Sequence, residues 1–255
     1  MQPGTARRPR IIIGTSGWSY PSWRHSFYAG VPQRRWLAFC AQHFTGIEVN
    51  ATFYRRLKAE IIDRWRQETP ADFAFAVKGH RLVTHVHRLR DVEAALAEDK
   101  ARLAPLGDKL AAVLWQLPPS LPKDLGLLEA FAETLGLWRE TRHVMEFRHP
   151  SWMDDQTLAV LRRYAITACM SDAPCWPMWE AATSGLAYLR LHGHDRLYRS
   201  RYGEAALAPW AQKVMDYLDN GLDTHVYFDN DAEGAAPDDA QLLLRMVSGR
   251  QADTE

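Results

Sequence analysis

The stretch VMEFRHPSW, residues 144–152, opens as an apolar strand and then sets Glu146, Arg148 and His149 within four positions, with Trp152 just beyond. Side chains along a strand alternate between faces, so Met145 and Phe147 share one face while Val144, Glu146 and Arg148 share the other. Charge on a face that is otherwise apolar is costly unless it is paired or used. A strand of this kind therefore needs an enclosed polar place to end in, and the C-terminal mouth of a parallel barrel is such a place.

The same rule applies along the chain. In GIEVN (46–50) the outward pair Ile47 and Val49 turns Glu48 and Asn50 inward; in FAFAVK (73–78) Phe73, Phe75 and Val77 leave Ala74, Ala76 and Lys78 inside. AAVLWQL (111–117) sends Gln116 inward between Trp115 and Leu117, and LAYLRLH (186–192) turns Tyr188, Arg190 and His192 inward. THVYFD (224–229) puts Asp229 inside, whereas ITACMSD (166–172) is ambiguous in parity and ends in Asp172. With IIIGTS (11–16), these make eight strands. Each polar residue stands at the C-terminal end of its strand, so Glu48, Glu146, Asp172 and Asp229 are expected around one mouth with Lys78, Arg148 and Arg190.

Between the strands lie helical candidates at about 33–43, 57–67, 90–104, 124–136, 154–164, 204–219 and 237–247, with Asp124, Asp154 and Asp238 as N-caps. The helices after the first and sixth strands are weakly signalled. Eight strand–helix repeats in 255 residues fit an α/β chain folded as a closed (β/α)8 TIM-type barrel, one domain over residues 11–250 behind a disordered tail at 1–10. An open doubly wound sheet is disfavoured: GTSGW after the first strand lacks the G-x-G-x-x-G spacing, and no P-loop occurs.

Composition narrows the function. Lys plus Arg and Asp plus Glu both total 31, so no global field draws the chain to nucleic acid or anionic lipid. Three widely spaced cysteines, Cys40, Cys169 and Cys175, suit neither a disulfide framework nor a zinc ribbon. The apolar run Ile11–Ile13 is far shorter than the roughly 7 to 15 residues of a signal-peptide core, and no run reaches the roughly 18 of a membrane span. A soluble, cytoplasmic protein is expected.

GTSGWSYPSW (14–23), EVNATFY (48–54), the TH at 84–85, QLPP (116–119), EFRHPSW (146–152), SDAP (171–174), YLRLHG (188–193) and YFDND (227–231) together resemble the YecE-like family, a domain of unknown function. The match runs over nearly the whole chain. The resemblance implies a TIM-type barrel with a polar pocket at its C-terminal end, and it brings no established reaction. Ala29 departs from the pattern, where proline is expected after Phe27 and Tyr28, which bears only on the shape of the first loop.

Glu48 and Glu146 are the candidate acid/base pair, one raised by an apolar wall and the other kept ionised beside Arg148. Glycosidase chemistry is disfavoured because barrel glycosidases carry their pair at the ends of strands four and seven, where this chain has Gln116 and His192. Lys78 has three readings: an imine-forming amine, a carboxylate or phosphate ligand, or the partner of a glutamate. With Asp172 and His192 these form the candidate catalytic set. Ligand contacts are expected from Asn50, Tyr54, His85, Gln116, Arg148, Arg190, Tyr202, Asp229 and Asn230, with Trp18 and Trp152 as flat walls for a ring or as caps on the barrel.

No cofactor and no metal ligand are assigned. A divalent metal is the minor alternative, because His85, His192 and the carboxylates are suitable donors but three cations compete. The expected ligand is a small, polar, anionic, sugar-like molecule bearing phosphate or carboxylate. Two alternatives are kept, a pocket that binds without turnover and a nucleic-acid partner. The second rests on HGHDRLYRSRYG (192–203), where Arg196, Arg199 and Arg201 interleave with Tyr198 and Tyr202. Zero net charge does not favour it.

Overall fold

The computed structural model of the protein describes residues 7–176 and 178–252. Eight strands, β1 (Ile11–Thr15), β2 (Gly46–Val49), β3 (Ala74–Lys78), β4 (Leu110–Gln116), β5 (His143–Glu146), β6 (Thr167–Asp172), β7 (Leu186–Leu191) and β8 (Asp223–Phe228), pair in parallel in sequence order, with β1 also paired to β8. The ring closes between β1 and β2 through a Ser16–Glu48 bridge and two backbone bonds, Gly17 N–H to Glu48 O at 2.7 Å and Thr45 N–H to Ile13 O at 3.1 Å. The fold is the TIM-type barrel, in one domain.

Helices α1 (Trp36–Cys40), α2 (Ala51–Tyr54), α3 (Ala59–Gln67), α4 (Glu93–Leu103), α5 (Leu125–Leu135), α6 (Asp155–Arg163), α7 (Gly203–Asp219) and α8 (Ala236–Ala252) fill the connections. Their signals read as the physics requires: the Asp124 and Asp154 carboxylates each accept an N–H of the first turn, from Leu127 and Thr157, at 2.9 Å. Asp238 is not a cap, since α8 already begins at Ala236, and it pairs with Arg201 at 2.8 Å. Where the helix signals are weak the elements are reduced. The one after β1 is five residues long, and among the described residues β6 reaches β7 through 173–185 without a helix.

Alternation divides the core in two. Ile47, Val49, Phe75, Val77, Trp115, Met145, Leu189 and Phe228 belong to the outer core beneath the helices. Ile12, Ala74, Ala76, Ala112, Leu114, Val144, Cys169, Leu186, Tyr188 and Tyr227 fill the barrel. The filling is lopsided: Gly14, Gly46, Ala74 and Ala76 line β1 to β3, and Tyr188 and Tyr227 span the space from β7 and β8. Gly14 is required by contact, because a Cβ there would stand 1.9 Å from the Gly46 carbonyl oxygen across the closing seam.

At the N-terminal face Asp223 ties down the chain start expected to be disordered: its carboxylate takes Arg7, Arg142 at 2.6 Å and the Arg10 N–H at 2.6 Å. Residues 1–6 of that expected tail lie outside the described residues. No helix of the described residues is long and apolar enough to cross a membrane.

Candidate functional site

At the C-terminal mouth the polar strand ends converge on Arg190, which is 1% exposed. Its Nε donates to both Glu48 oxygens, at 3.0 and 3.1 Å, and Nη2 reaches Glu48 Oε1 and Asp229 Oδ2, both at 2.8 Å. Nη1 reaches Glu146 Oε2 at 2.9 Å and stands 3.0 Å from His192 Nε2. Strands β2, β5, β7 and the end of β8 thus meet at one guanidinium, with every nitrogen engaged by the protein. Expected to grip a ligand, Arg190 is instead committed internally.

The two glutamates are similarly held. Glu48 accepts from Ser16 Oγ at 2.5 Å and from the Tyr188 hydroxyl at 2.6 Å besides Arg190. Glu146 accepts from Ser171 Oγ at 3.2 Å and pairs with Arg148 as well as Arg190. Burial alone would raise the Glu146 carboxyl, but Arg148 and Arg190 overrule it and bring it well below the usual carboxylate range. Asp229 is lowered for the same reason, burial being outweighed by Arg190 and by His192, whose Nε2 lies 3.2 Å away. Glu146 is ionised, as expected beside Arg148, and both glutamates serve as acceptors that fix the arginines.

Two cations keep unused capacity. The Lys78 ammonium donates to Gln116 Oε1 at 2.6 Å and rests 4.3 Å from the centre of the Phe53 ring. Among the described residues no carboxylate pairs with it, so the reading of Lys78 as a glutamate's partner does not hold. Burial and the nearby Arg190 lower it to about 8. Arg148 lies 3.6 Å over the Trp176 ring with its Nη2 on Glu146, while its Nε is buried and has no hydrogen-bond partner among the described residues. Asn50 donates to Ser16 Oγ at 2.6 Å, and its buried Oδ1 has no donor among the described residues.

Near Lys78, His85 packs edge-on against Phe53 at 4.9 Å, and its Nδ1 is 2.9 Å from Thr84 Oγ1. Burial, with Lys78, Arg81 and Arg88 around it, lowers His85 to about 4 and leaves it neutral at pH 7.

Other expected members stand apart. Asp172 faces outward: Cys169 and Ser171 take the inward parity on β6, and Asp172 accepts from the Tyr202 hydroxyl at 2.6 Å on the helix side, where Tyr202 packs against Phe228. Tyr54 is 68% exposed, since the short α2 turns Phe53 inward in its place. Trp152 is fully buried, its Nε1 on the Leu121 carbonyl at 2.8 Å and its ring against Phe147, so it plugs the outer core. Trp18 meets Trp65 edge-on and lines a side cavity of about 490 Å³ that also touches Asn50 and Tyr20. Asn230 is buried and donates to Ser200 O and Asp239, pinning loops together. The loop arginines pair at the surface, Arg196 and Arg199 with Glu233 and Arg201 with Asp238.

Sequence reading missed Ser16, Ser171, Trp176 and Asp231. The β6 parity would have given Ser171. Asp231, two residues beyond Asp229, is raised to about 6 by burial and by Asp229. Trp176 carries no sequence signal at all, because an irregular segment brings it to Arg148. Among the described residues no three His, Cys, Asp or Glu side chains are grouped to hold a metal ion, the carboxylates being turned toward Arg190. A cavity of about 710 Å³ lies at the opposite end of the barrel against Arg139, Arg142 and Tyr164, and its lining includes none of the converging groups.

Comparison with known proteins agrees with this architecture. A family model described as "Protein of unknown function DUF72" matches residues 12–255. The chain is 31% identical to the UPF0759 protein YecE of Escherichia coli K12, covering 82% of this chain and 85% of that one. It is 25% identical to the UPF0759 protein YunF of Bacillus subtilis 168, covering 93% and 94%. A DUF72 family crystal structure from Thermotoga maritima superposes with a TM-score of 0.84 at 26% identity, covering 94% of this chain and 99% of that one. A second from Enterococcus faecalis gives 0.81 at 18% identity, covering 93% and 95%, and speaks to fold alone.

Proposed function

The chain belongs to the DUF72 family of proteins of unknown function, and from that premise we propose that it is an enzyme acting on a small, polar, anionic ligand at the barrel mouth. The observation that carries this reading is the set of buried polar groups left unfilled there: Arg148 Nε, Asn50 Oδ1 and a Lys78 ammonium with one hydrogen-bond acceptor for its three protons. An unfilled buried donor or acceptor costs about 1–3 kcal/mol, and a ligand that supplies the missing partners accounts for keeping them. Arg148 takes the negative group, Asn50 a hydroxyl, and Lys78 faces the reacting carbon. Ionised Glu146 and Asp229 hold the cations in place, and the Asp231 carboxyl, raised to about 6, is the group suited to exchange a proton near neutral pH.

Thermal denaturation with inorganic phosphate and with gluconate tests the binding step. A ligand at a hundred times its Kd adds about 2.7 kcal/mol, a shift of several degrees. The shift should vanish in Arg148→Met. Sugar phosphates and sugar acids incubated in D2O test the chemistry by NMR, with deuterium exchange or conversion lost in Glu146→Gln. Equal shifts in Arg148→Met and the unaltered protein, or no shift with either probe, would refute the proposal.

A further inference from the structure

Two of the six lysines are buried, Lys78 at 8% and Lys109 at 7% exposure, and they contrast sharply in company. The Lys109 ammonium is filled: it donates to Arg66 O at 2.6 Å, Thr69 O at 2.7 Å and Thr69 Oγ1 at 3.0 Å. Lys78, with nearly the same exposure, has among the described residues the single acceptor Gln116 and the face of Phe53. A structural lysine in this protein is thus fully satisfied and remote from the mouth, and Lys78 is neither. Its nitrogen stands at the mouth, one hydrogen bond from Gln116 and against the Phe53 ring, among the groups assigned above to ligand binding.

We propose that Lys78 is a covalent nucleophile, forming an imine with the aldehyde or ketone group of an anionic ligand whose charge rests on Arg148. The inference depends on the mouth being the ligand site and adds the substrate class. The nitrogen lone pair attacks the carbonyl carbon, the C–N bond forms, and the carbonyl π pair moves to oxygen, which takes a proton. That proton comes from the nitrogen. A second proton, delivered by a neighbouring carboxyl, lets the oxygen leave as water as the nitrogen lone pair forms C=N, and the product is the protonated imine; return of its proton to that carboxylate completes amine plus carbonyl to imine plus water. The protonated imine then withdraws electrons from a bond to the adjacent carbon, the chemistry that makes such lysines useful. An ammonium lowered to about 8 leaves roughly a tenth of the amine free at pH 7, where an ordinary lysine leaves well under a hundredth.

The test uses glyoxylate and pyruvate with sodium cyanoborohydride, which reduces an imine to a stable secondary amine, followed by peptide mass mapping. Lys78 should carry the first adduct, at least tenfold faster than exposed Lys58 or the surface-paired Lys100, Lys123 and Lys213. Arg148→Met should slow it at least tenfold, and Lys78→Arg should abolish it. Labelling of Lys78 no faster than Lys58 overturns the inference. Glycolate, the alcohol counterpart of glyoxylate, separates the two readings by thermal shift. A glycolate shift that depends on Arg148, without a Lys78 adduct, sinks the imine and leaves the binding site standing; absence of both sinks the two together.

Discussion

The Tyr188 hydroxyl on β7 reaches across the barrel to Glu48 on β2 and donates to its carboxylate at 2.6 Å, both side chains being fully buried. The bond spans 140 residues of sequence, and it is made because β1 to β3 contribute little bulk to fill the space between. Tyr188→Phe keeps the ring and removes the donor. A hydrogen bond to a charged group contributes about 1.5–3 kcal/mol, so chemical denaturation should show a loss in that range. A loss under about 0.5 kcal/mol would mean the contact is idle.

Arg190 offers a sharper test, because three carboxylates depend on it. Removing one member of a buried charge cluster typically costs about 3–5 kcal/mol, since the partners stay buried without compensation. Arg190→Met should lose that much or fail to fold. Adding Glu48→Gln should recover part of it, since one stranded charge is then gone. If the double variant is less stable than the single, the charges are not what the arginine offsets.

Asp99 on α4 gives a pH dependence of defined sign. It is buried, accepts the His80 N–H at 3.2 Å, and burial raises it to about 6. An unfolded aspartate titrates near about 3.9, so between those values the folded chain binds more protons and its stability falls as pH rises. The contribution is whole below the unfolded value and gone above the folded one. Asp99→Asn, which keeps an acceptor and sheds the charge, should match the unaltered protein at pH 4 and exceed it at pH 7.5 in urea denaturation. A difference that does not change with pH would rule out burial as the cause.

Closure of the barrel can be probed at Gly14. An added Cβ would meet the Gly46 carbonyl oxygen at 1.9 Å, backbone that cannot step aside without parting β1 from β2. Gly14→Ala should cost about 3 kcal/mol or more, or yield no soluble protein. Gly126→Ala on α5, where the nearest atom is 3.7 Å away, should be neutral or stabilising by up to about 1 kcal/mol. Comparable stability of the two variants would show that the seam tolerates separation.

How far the sequence disclosed this structure follows from which interactions are periodic. Strand parity is set by alternation, so Glu48, Lys78, Gln116, Glu146, Arg190, His192 and Asp229 are legible as one group in the sequence alone. What alternation does not contain is who pairs with whom. Arg190 and Arg148 read alike from the chain, yet one is saturated from four strand ends and the other keeps a free nitrogen. Asp172 reads as a mouth residue only from its place at the strand end: Ile166, Ala168 and Met170 share its parity and face the helices, while Thr167, Cys169 and Ser171 are small and only weakly polar, which blurs the alternation. Tyr54 was misplaced because a single helical turn follows β2 and resets which side chain faces in. Trp176 and Asp231 lie where no period operates.

The lopsided filling described above couples distant positions. A barrel packed from one flank leaves no slack: a methyl added at Ala76 can be housed only if an aromatic ring opposite is shortened. Substitutions on the two flanks should therefore arise as compensating pairs, large for small and small for large, and descendants of this chain should drift by exchanging bulk across the axis, with total volume conserved.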